Sequence, residues 1–570
     1  MTEPRPFPCP RPVPPSCPLR APAALLLLGL ALGACGGQAE LYDREWDVRG
    51  PVPLAGHLAY VDAALEDLVT VRADARSGGG FDFQVVRQPI GHAPALLMRS
   101  ADGSRALVVT HGTLGGSGYE EQEERLYVLD PTGVQDPSIF PLRSPFDTLA
   151  LSDDGQWAIA HFAGEDAVNP NELAVVRLQD APGEDNPVLL PLRTYGSRPL
   201  GVRYLPDLTI GDRDRQLALI FSERYVTFID LEHLDRRVTT VFVSARASTD
   251  IVRPVAAAVA AGDATDPEGA EPYVFLRAPG IAEVYALNLQ DNPSPAEADQ
   301  NDFSPTVNEI PIPAPPDDFE VFDGAEGKAL LAVHAGGSTP GATIVDPRTT
   351  ATWTVQLDAP ATAAQLFPAV PTRDGMRQLA LLWSAGNPYE TRAGFLILDG
   401  VEERLRRNLE TIDLGAPVVD VLPTGDPLRV LLVHNVYSGS LSILDVADRT
   451  VQRLGVDVRS DVLATHPDGD AFFFAAPDPT AISQLTLETG HAEELRLDAE
   501  PVRLFALPGV SDSRRTRGRA LVVDHSWNSG YLTALPLDAP DRDAASSLQG
   551  FLAGGLLDVD TGRYPAAEVP

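Results

Sequence analysis

The sequence predicts an all-β chain that folds as a single β-propeller of about eight blades (seven to nine), and two observations lead there. Apolar segments of about five residues, rich in Val, Leu and Ile and bounded by Gly and Pro, are typical of strands. These segments recur in groups of four, in units that average about 50 residues, which is the repeat length of propeller blades. No segment has the pattern of a long helix.

The first element is an N-terminal leader. Residues 21–32 form an apolar run, Arg20 precedes it, and Leu32-Gly33-Ala34-Cys35 closes it. A basic flank, an apolar core and small residues before a cleavage point are typical of a secretory signal peptide. The motif resembles the bacterial lipobox, and this resemblance implies that Cys35 carries lipid and begins the mature chain. The alternative is an uncleaved transmembrane helix, which would need about 20 apolar residues.

The leader sets the predicted domain organisation. Residues 1–34 are the lipoprotein signal peptide, residues 35–53 a lipidated tether rich in Gly and Pro, and residues 54–570 the propeller. Gly36 rather than Asp follows the cysteine. In many Gram-negative lipoproteins, the absence of Asp at this position accompanies export to the outer membrane. The expected location is therefore the bacterial cell envelope, with the lipid anchor in its outer membrane.

Composition limits the function classes. The chain has three cysteines, and Cys9 and Cys17 leave with the leader, so disulfides and cysteine-based metal sites are not expected. Without Glu3, Arg5, Arg11 and Arg20 of the leader, the 44 basic and 80 acidic residues become 41 and 79. A surface this acidic repels nucleic acid, so no nucleic-acid partner is expected.

The repeat is clearest in residues 145–192, where four apolar segments surround the turn Ser152-Asp153-Asp154-Gly155. An Asp-Gly pair between apolar runs indicates a hairpin, here expected as a type I′ turn. The first strands of nine such units begin near residues 94, 145, 199, 254, 317, 361, 417, 461 and 501. Residues 58–90 are expected to complete the last blade and close the ring. The stretch 254–316 is the unit most open to miscounting.

Two segments carry a family resemblance. The stretch from His434 to Asp445 resembles the N-x-x-x-G-T-V-S-V-I-D part of YVTN-type propeller repeats, which are known from surface-layer-like proteins. Ala150 to Gly155 is similar to the V-S-P-D-G turn of the same repeats. The resemblance implies the fold, whereas propellers host many unrelated activities.

Histidine provides the candidate metal site. Five of the ten histidines fall at one repeat position, the end of the second strand; they are His111, His161, His334, His434 and His525. Imidazoles converging on a central channel would bind a divalent metal or change charge near pH 6.5. The alternative is that each ring hydrogen-bonds to its own blade.

Three charged segments each have a functional and a structural interpretation. Two acidic loops, 263–271 and 291–318, are either calcium ligands or solvated insertions, and they lack the spacing of a calcium loop. Residues 514–519 form a basic patch that would bind an acidic partner or keep an edge loop soluble. Glu120, Glu121, Glu123 and Glu124 form an acidic cluster that is expected to be a solvated face.

No catalytic signature is present: the sequence lacks a nucleophile elbow, an H-E-x-x-H motif, a P-loop and a dinucleotide fingerprint. The predicted function is a non-enzymatic binding or scaffold protein, held at the membrane by lipid and bound to a protein partner in the envelope. The alternative is a lactonase-like propeller hydrolase with a divalent metal in the channel. No catalytic residue and no other cofactor are predicted.

Overall fold

The architecture is that of a computed structural model, which describes residues 47–113, 123–164, 169–192, 198–244, 251–262, 271–292, 301–324, 327–372, 375–398, 408–434, 440–457, 459–511, 516–526 and 529–552. These residues form ten four-stranded antiparallel sheets and two small hairpins. The leader, Cys35 and most of the predicted tether lie outside them. Among the residues described, no helix is long and apolar enough to cross a bilayer.

Each sheet is one blade, built from consecutive strands. Blades 1 to 3 contain β1 (Val48–Leu54), β2 (His57–Asp62), β3 (Asp67–Ala75), β4 (Phe81–Pro89), β5 (Pro94–Arg99), β6 (Ala106–Thr110), β7 (Arg125–Leu129), β8 (Ser138–Pro141), β9 (Thr148–Leu151), β10 (Trp157–His161), β11 (Glu172–Arg177) and β12 (Val188–Pro191). Blade 4 contains β13 (Gly201–Tyr204), the inserted hairpin β14 (Leu208–Ile210) and β15 (Arg213–Arg215), β16 (Leu217–Ser222), β17 (Tyr225–Asp230) and β18 (Thr239–Phe242).

The other six blades repeat the plan. Blades 5 to 7 contain β19 (Ala256–Ala260), β20 (Tyr273–Arg277), β21 (Glu283–Asp291), β22 (Phe303–Pro311), β23 (Asp318–Gly324), β24 (Gly327–His334), β25 (Gly341–Val345), β26 (Thr352–Gln356), β27 (Ala363–Thr372), β28 (Gly375–Trp383), β29 (Arg392–Ile397) and β30 (Leu409–Asp413). Blades 8 and 9 contain β31 (Val418–Pro423), β32 (Arg429–His434), β33 (Ser440–Asp445), β34 (Thr450–Asp457), β35 (Arg459–Thr465), β36 (Ala471–Ala475), β37 (Ala481–Thr486) and β38 (His491–Arg496). Blade 10 contains β39 (Arg503–Leu507), the inserted hairpin β40 (Val510–Ser511) and β41 (Thr516–Arg517), β42 (Ala520–Asp524), β43 (Tyr531–Leu535), a 3-10 turn (Arg542–Ala544) and β44 (Ser546–Gln549).

The core lies between the blades. Among the described residues there are ten apolar clusters, and each combines buried side chains of two neighbouring blades, blades 10 and 1 included. The cluster between blades 2 and 3, for example, joins Val109 and Leu126 to Ala158 and Ala174. Since burying both faces of a sheet needs a neighbour on each side, ten sheets with ten shared clusters form a closed ring, a β-propeller.

The first strand of each blade is the inner strand. It lies at one edge of its sheet, and inner strands of neighbouring blades run alongside one another, as β1 and β5 or β23 and β27 do. We call the face at which inner strands begin and second strands end the mouth face. The opposite face, with the loops between first and second strands, is the turn face.

The predicted all-β propeller is confirmed, but its blade number is ten instead of seven to nine. Residues 48–89 are a complete blade and add no strand to the last one, and residues 254–316 hold all of blade 5. Blade 1 was not predicted as a separate blade, because Gly50, Pro51 and Pro53 in its first strand suggested a tether. An inner strand is an edge strand, where proline is tolerated, and β1 also has an irregular register between Arg49 and Val52.

The Asp-Gly turns are real but of another type. In Ser152–Gly155 the Gly155 N–H donates to the Ser152 carbonyl at 3.0 Å, and of these four residues only Gly155 has a positive φ, 69°. A type I′ turn would need two positive φ values. The turn is therefore not type I′, and the Asp154 carboxylate accepts from the Gln156 N–H at 2.9 Å next to it.

Candidate site at the channel mouth

The five predicted histidines lie at the mouth ends of the second strands of five different blades: 2, 3, 6, 8 and 10. The rings of His434 and His525 are buried and make matching contacts. Nδ1 contacts a carbonyl that precedes the inner strand, Pro417 at 3.2 Å and Glu500 at 2.8 Å. Nε2 contacts a third-strand hydroxyl, Ser442 at 2.7 Å and Thr533 at 3.0 Å. These two rings therefore join three positions of their own blade.

The other three rings vary this arrangement. His334 Nε2 lies 3.3 Å from the Thr343 hydroxyl, and His161 Nδ1 lies 3.4 Å from the Phe162 carbonyl. His111 Nε2 reaches the Phe146 carbonyl at 3.0 Å, which belongs to the connection into blade 3. Burial lowers the pKa of His161, His334, His434 and His525, which favours their neutral form near pH 7.

The five rings belong to different blades and are too far apart to bind one metal ion together. Packed sheets stand about 10 Å apart, whereas imidazole ligands bind zinc at about 2 Å. Within the described ranges, no group of three or more His, Cys, Asp and Glu side chains is arranged to hold a metal ion. Each ring instead contacts a carbonyl or hydroxyl group of its own blade or of the connection into the next blade.

The acidic loops are only partly solvated. Asp302, expected on an exposed insertion, is buried and pairs with Arg213, Arg215 and Arg236 of blade 4. Arg215 in turn pairs with the buried Asp230 at 3.0 Å. Asp302 therefore joins blade 5 to blade 4 on the turn face. Asp263, Asp266 and Glu268 lie outside the described residues.

The basic patch and the acidic cluster also lie partly outside them, since Arg514, Arg515, Glu120 and Glu121 are not described. Of the described part, Arg519 pairs with Asp538 at 2.6 Å and with Asp468 at 3.6 Å. Arg519 is thus engaged in ion pairs within the chain.

The sequence did not predict the exposed apolar side chains at the mouth of the ring. Ten large apolar side chains are exposed among the described residues, and seven of them lie on the mouth face: Leu200, Phe242, Ile251, Val255, Tyr389, Val419 and Val502. Four of the seven stand at or just before the start of an inner strand, with exposed fractions of 37% (Leu200), 49% (Val255), 44% (Val419) and 40% (Val502). The sequence predicts the inner strands, but it does not show which of their apolar residues lie at the strand ends without a neighbouring blade to cover them.

Two arginines stand at the same mouth. Arg503 of blade 10 donates to the Gly50 carbonyl of blade 1, and Arg49 of blade 1 donates to the Ala95 carbonyl of blade 2. Arg459 of blade 9 instead pairs with Glu500 at 2.7 Å. Guanidinium groups therefore follow one another along three consecutive blades of an otherwise acidic protein.

An acidic pair lies on the inner strand of blade 6. Asp318 accepts from the Ala364 N–H of blade 7 at 2.9 Å. Burial, and then the charge of Asp318, raise the pKa of Glu320 to about 7, while Arg203 of blade 4 opposes the rise. Glu320 therefore lies on an inner strand and has a pKa near neutral pH.

Comparisons with known proteins leave the family open: no family description and no curated protein sequence matches the chain. Among solved structures, the chain is similar to the dihydro-heme d1 dehydrogenase NirN in complex with DHE, at 13% identity over 79% of this chain and 75% of that chain, with a TM-score of 0.36. It is also similar to apo AztD from Citrobacter koseri, at 14% identity over 70% of this chain and 96% of that chain, with a TM-score of 0.31. At these scores the likeness carries no conclusion about function.

Proposed function

We propose that this protein is a non-enzymatic binding or scaffold protein of the bacterial cell envelope, which binds a protein partner at the mouth of its ring. The observation that carries the proposal is that seven of the ten exposed large apolar side chains of the described residues lie on the mouth face. A contiguous patch of exposed apolar groups is typical of an interaction site, and we propose that one partner spans these strand ends. Loops and strand ends on a rigid ring are also suited to recognition.

The proposed anchor is consistent with this face. In the proposal Cys35 carries lipid, and the described chain resumes at Asp47, which precedes the mouth end of β1. Twelve residues of extended chain span at most about 40 Å. A lipid-anchored ring would thus hold its mouth face within about 40 Å of the membrane, and we propose the outer membrane as that membrane.

Site-specific photo-crosslinking tests the partner. A photoreactive residue at position 255, 419 or 502 of the full-length chain, expressed in a Gram-negative bacterium, should give one crosslinked protein band. The matched control is position 134, because Val134 is 85% exposed but lies on the turn face. Equal crosslinking from position 134, or no band from the three mouth positions, would refute the proposed binding face.

Metabolic labelling tests the anchor separately. Labelled palmitate should enter the full-length chain, and Cys35→Ser should abolish both the label and membrane retention. A labelled Cys35→Ser chain would refute lipidation at Cys35. The crosslinking experiment would still test the binding face, because it does not depend on the lipid anchor.

A further inference from the structure

We propose that the mouth edge of blade 4 is the place that holds the partner, and that it takes a protein segment in which apolar side chains lie next to an aspartate or glutamate. This inference rests on the proposed function and deepens it, because it names one place on the mouth face and the chemistry of what binds there. We call this place the blade 4 patch, and its members are Leu200, Arg224, Tyr225, Phe242, Ile251 and Val255.

The exposed apolar side chains of the mouth face are unevenly distributed around the ring. Four of the seven lie on blade 4 or on the connection from blade 4 into blade 5: Leu200, Phe242, Ile251 and Val255. The other three are spread over blades 7, 8 and 10. Single exposed apolar residues are normal on a protein surface, whereas a group of them marks a binding site.

Strand pairing brings the apolar side chains of blade 4 to one edge. Leu200 precedes the inner strand, and its N–H donates to the Phe221 carbonyl near the mouth end of β16 at 2.7 Å. Tyr225 begins β17 and is the direct cross-strand partner of Phe242 in β18, and their rings lie 5.5 Å apart. Direct cross-strand partners project to the same side of a sheet. The two rings therefore form one apolar surface, in which Phe242 is 52% exposed.

The connection into blade 5 continues this surface. Its residues 251–255 alternate between exposed and buried, and the buried Val252 packs in the apolar cluster between blades 4 and 5. Ile251 and Val255 therefore point away from that cluster. The Val252 carbonyl accepts from the Arg224 N–H at 2.7 Å, which holds the connection against the turn between β16 and β17.

Arg224 supplies a positive charge within the patch. Its carbonyl accepts from the N–H of Val243, the residue after Phe242, at 2.7 Å, so its main chain is fixed between the aromatic pair and the connection. The Arg224 side chain is exposed and forms no ion pair among the described residues. The neighbouring Glu223 is instead engaged by two nitrogens of Arg253, at 2.9 and 2.7 Å. Arg224 is therefore available to a carboxylate of the partner.

This combination of side chains specifies the partner. Tyrosine, phenylalanine and arginine are enriched at the centres of protein–protein interfaces. A guanidinium binds a carboxylate through charged hydrogen bonds, so we expect an acidic residue beside the apolar anchors of the partner. An anionic membrane fits less well, because a chain with a formal net charge of −36 is repelled by it.

Crosslinking from position 419 tests the location, because Val419 lies on the mouth face outside the patch. In the full-length chain with a photoreactive residue there, Phe242→Ser and Ile251→Ser should each weaken the crosslinked band severalfold, since a few residues carry most of the binding energy of an interface. Both side chains are exposed, so neither substitution should lower the melting temperature. The matched control is Met376→Ser, since Met376 is 61% exposed on the turn face.

The two possible failures of this experiment are distinguishable. A band from position 419 that neither substitution weakens would overturn the blade 4 patch and leave the proposed function intact. The absence of a band from all three mouth positions of the unsubstituted chain would refute the proposed function itself.

Random short peptides displayed on phage and selected on the purified full-length chain test the chemistry. Selected peptides should combine an aromatic or aliphatic residue with a nearby Asp or Glu. Arg224→Glu should weaken a selected peptide about tenfold, and lysine in place of the acidic residue of the peptide should restore binding to that variant. The control is Arg99→Glu, since Arg99 is an exposed arginine at the turn-face end of the inner strand β5.

The acidic–apolar partner is overturned if no peptide is enriched, if the enriched peptides lack Asp and Glu, or if Arg99→Glu weakens binding as much as Arg224→Glu does. Binding of the chain to phosphatidylglycerol vesicles that Phe242→Ser abolishes would also overturn it, because the patch would then dock on lipid.

Discussion

Two kinds of residue on these blades respond to pH in opposite directions, and burial causes both responses. The buried histidines have a lowered pKa because the charged imidazole is disfavoured. Glu320 has a raised pKa because the charged carboxylate is disfavoured. Glu320 is the clearer subject for an experiment, since a single substitution removes its proton and keeps its shape.

Glu320→Gln should stabilise the protein at high pH. The pKa of Glu320 rises from 4.5 to about 7 on folding, so between these values the folded chain binds more protons than the unfolded chain. Stability therefore falls as pH rises through this interval. The glutamine variant should match the wild type at pH 4 and exceed it by about 2 kcal/mol at pH 8, allowing for partial exposure. Chemical denaturation at both pH values measures this difference, and the exposed Glu488→Gln is the control.

The candidate site could be only half predicted from the sequence. The shared position of the histidines follows from the repeat, and so does their place on one face. The hydroxyls of Ser442 and Thr533 could not be assigned as their partners without the register of three strands. The contact of Arg503 with Gly50 could not be predicted at all, because it joins residues 453 positions apart.

At the scale of elements, inserted hairpins and long loops fasten one blade to the next. The hairpin β14–β15 places Arg213 and Arg215 against Asp302, which precedes the outer strand of blade 5. Burial alone would raise the pKa of Asp302, but hydrogen bonds and charge from Arg215 and Arg236 outweigh it and lower the pKa. The sequence showed an acidic insertion here, and only the fold brings the arginines to it.

Asp302→Ala should destabilise the protein by about 3–5 kcal/mol, because it leaves Arg215 buried with one of its two carboxylate partners. The matched control is Asp212→Ala in the same hairpin, since Asp212 is 92% exposed and pairs with Arg213 at 3.7 Å. The control should cost less than about 1 kcal/mol. Equal losses in urea denaturation would show that this ion network does not fasten the blades.

At the scale of elements the inner strands were also the best predicted feature. Nine of the ten observed inner strands begin within a few residues of the predicted positions. All of these nine except β35 follow a proline- or glycine-containing connection, so the sequence marks where they begin. Blade 1 was missed because its inner strand carries the proline residues that mark connections elsewhere.

At the scale of the whole molecule, the ring closes without a shared blade. All strands of blade 1 come from the beginning of the described chain, and all strands of blade 10 from its end. Leu58 and Val69 pack with Val522 and Leu532 across this junction. Backbone and side chains add hydrogen bonds, including the Phe81 N–H to the Ser546 hydroxyl at 2.8 Å and the Gly518 N–H to Asp74 at 3.0 Å.

Phe551→Ala tests whether this junction is closed in solution. Phe551 is fully buried there, with its ring 5.3 Å from the ring of Tyr60, so truncation should leave a cavity and cost about 3–5 kcal/mol in urea denaturation. The comparison is Phe146→Ala, since Phe146 is equally buried between blades 2 and 3 and its ring lies 4.7 Å from Phe162. A closed ring predicts similar losses for the two variants. If Phe146→Ala destabilises the protein and Phe551→Ala does not, blades 10 and 1 are apart in solution.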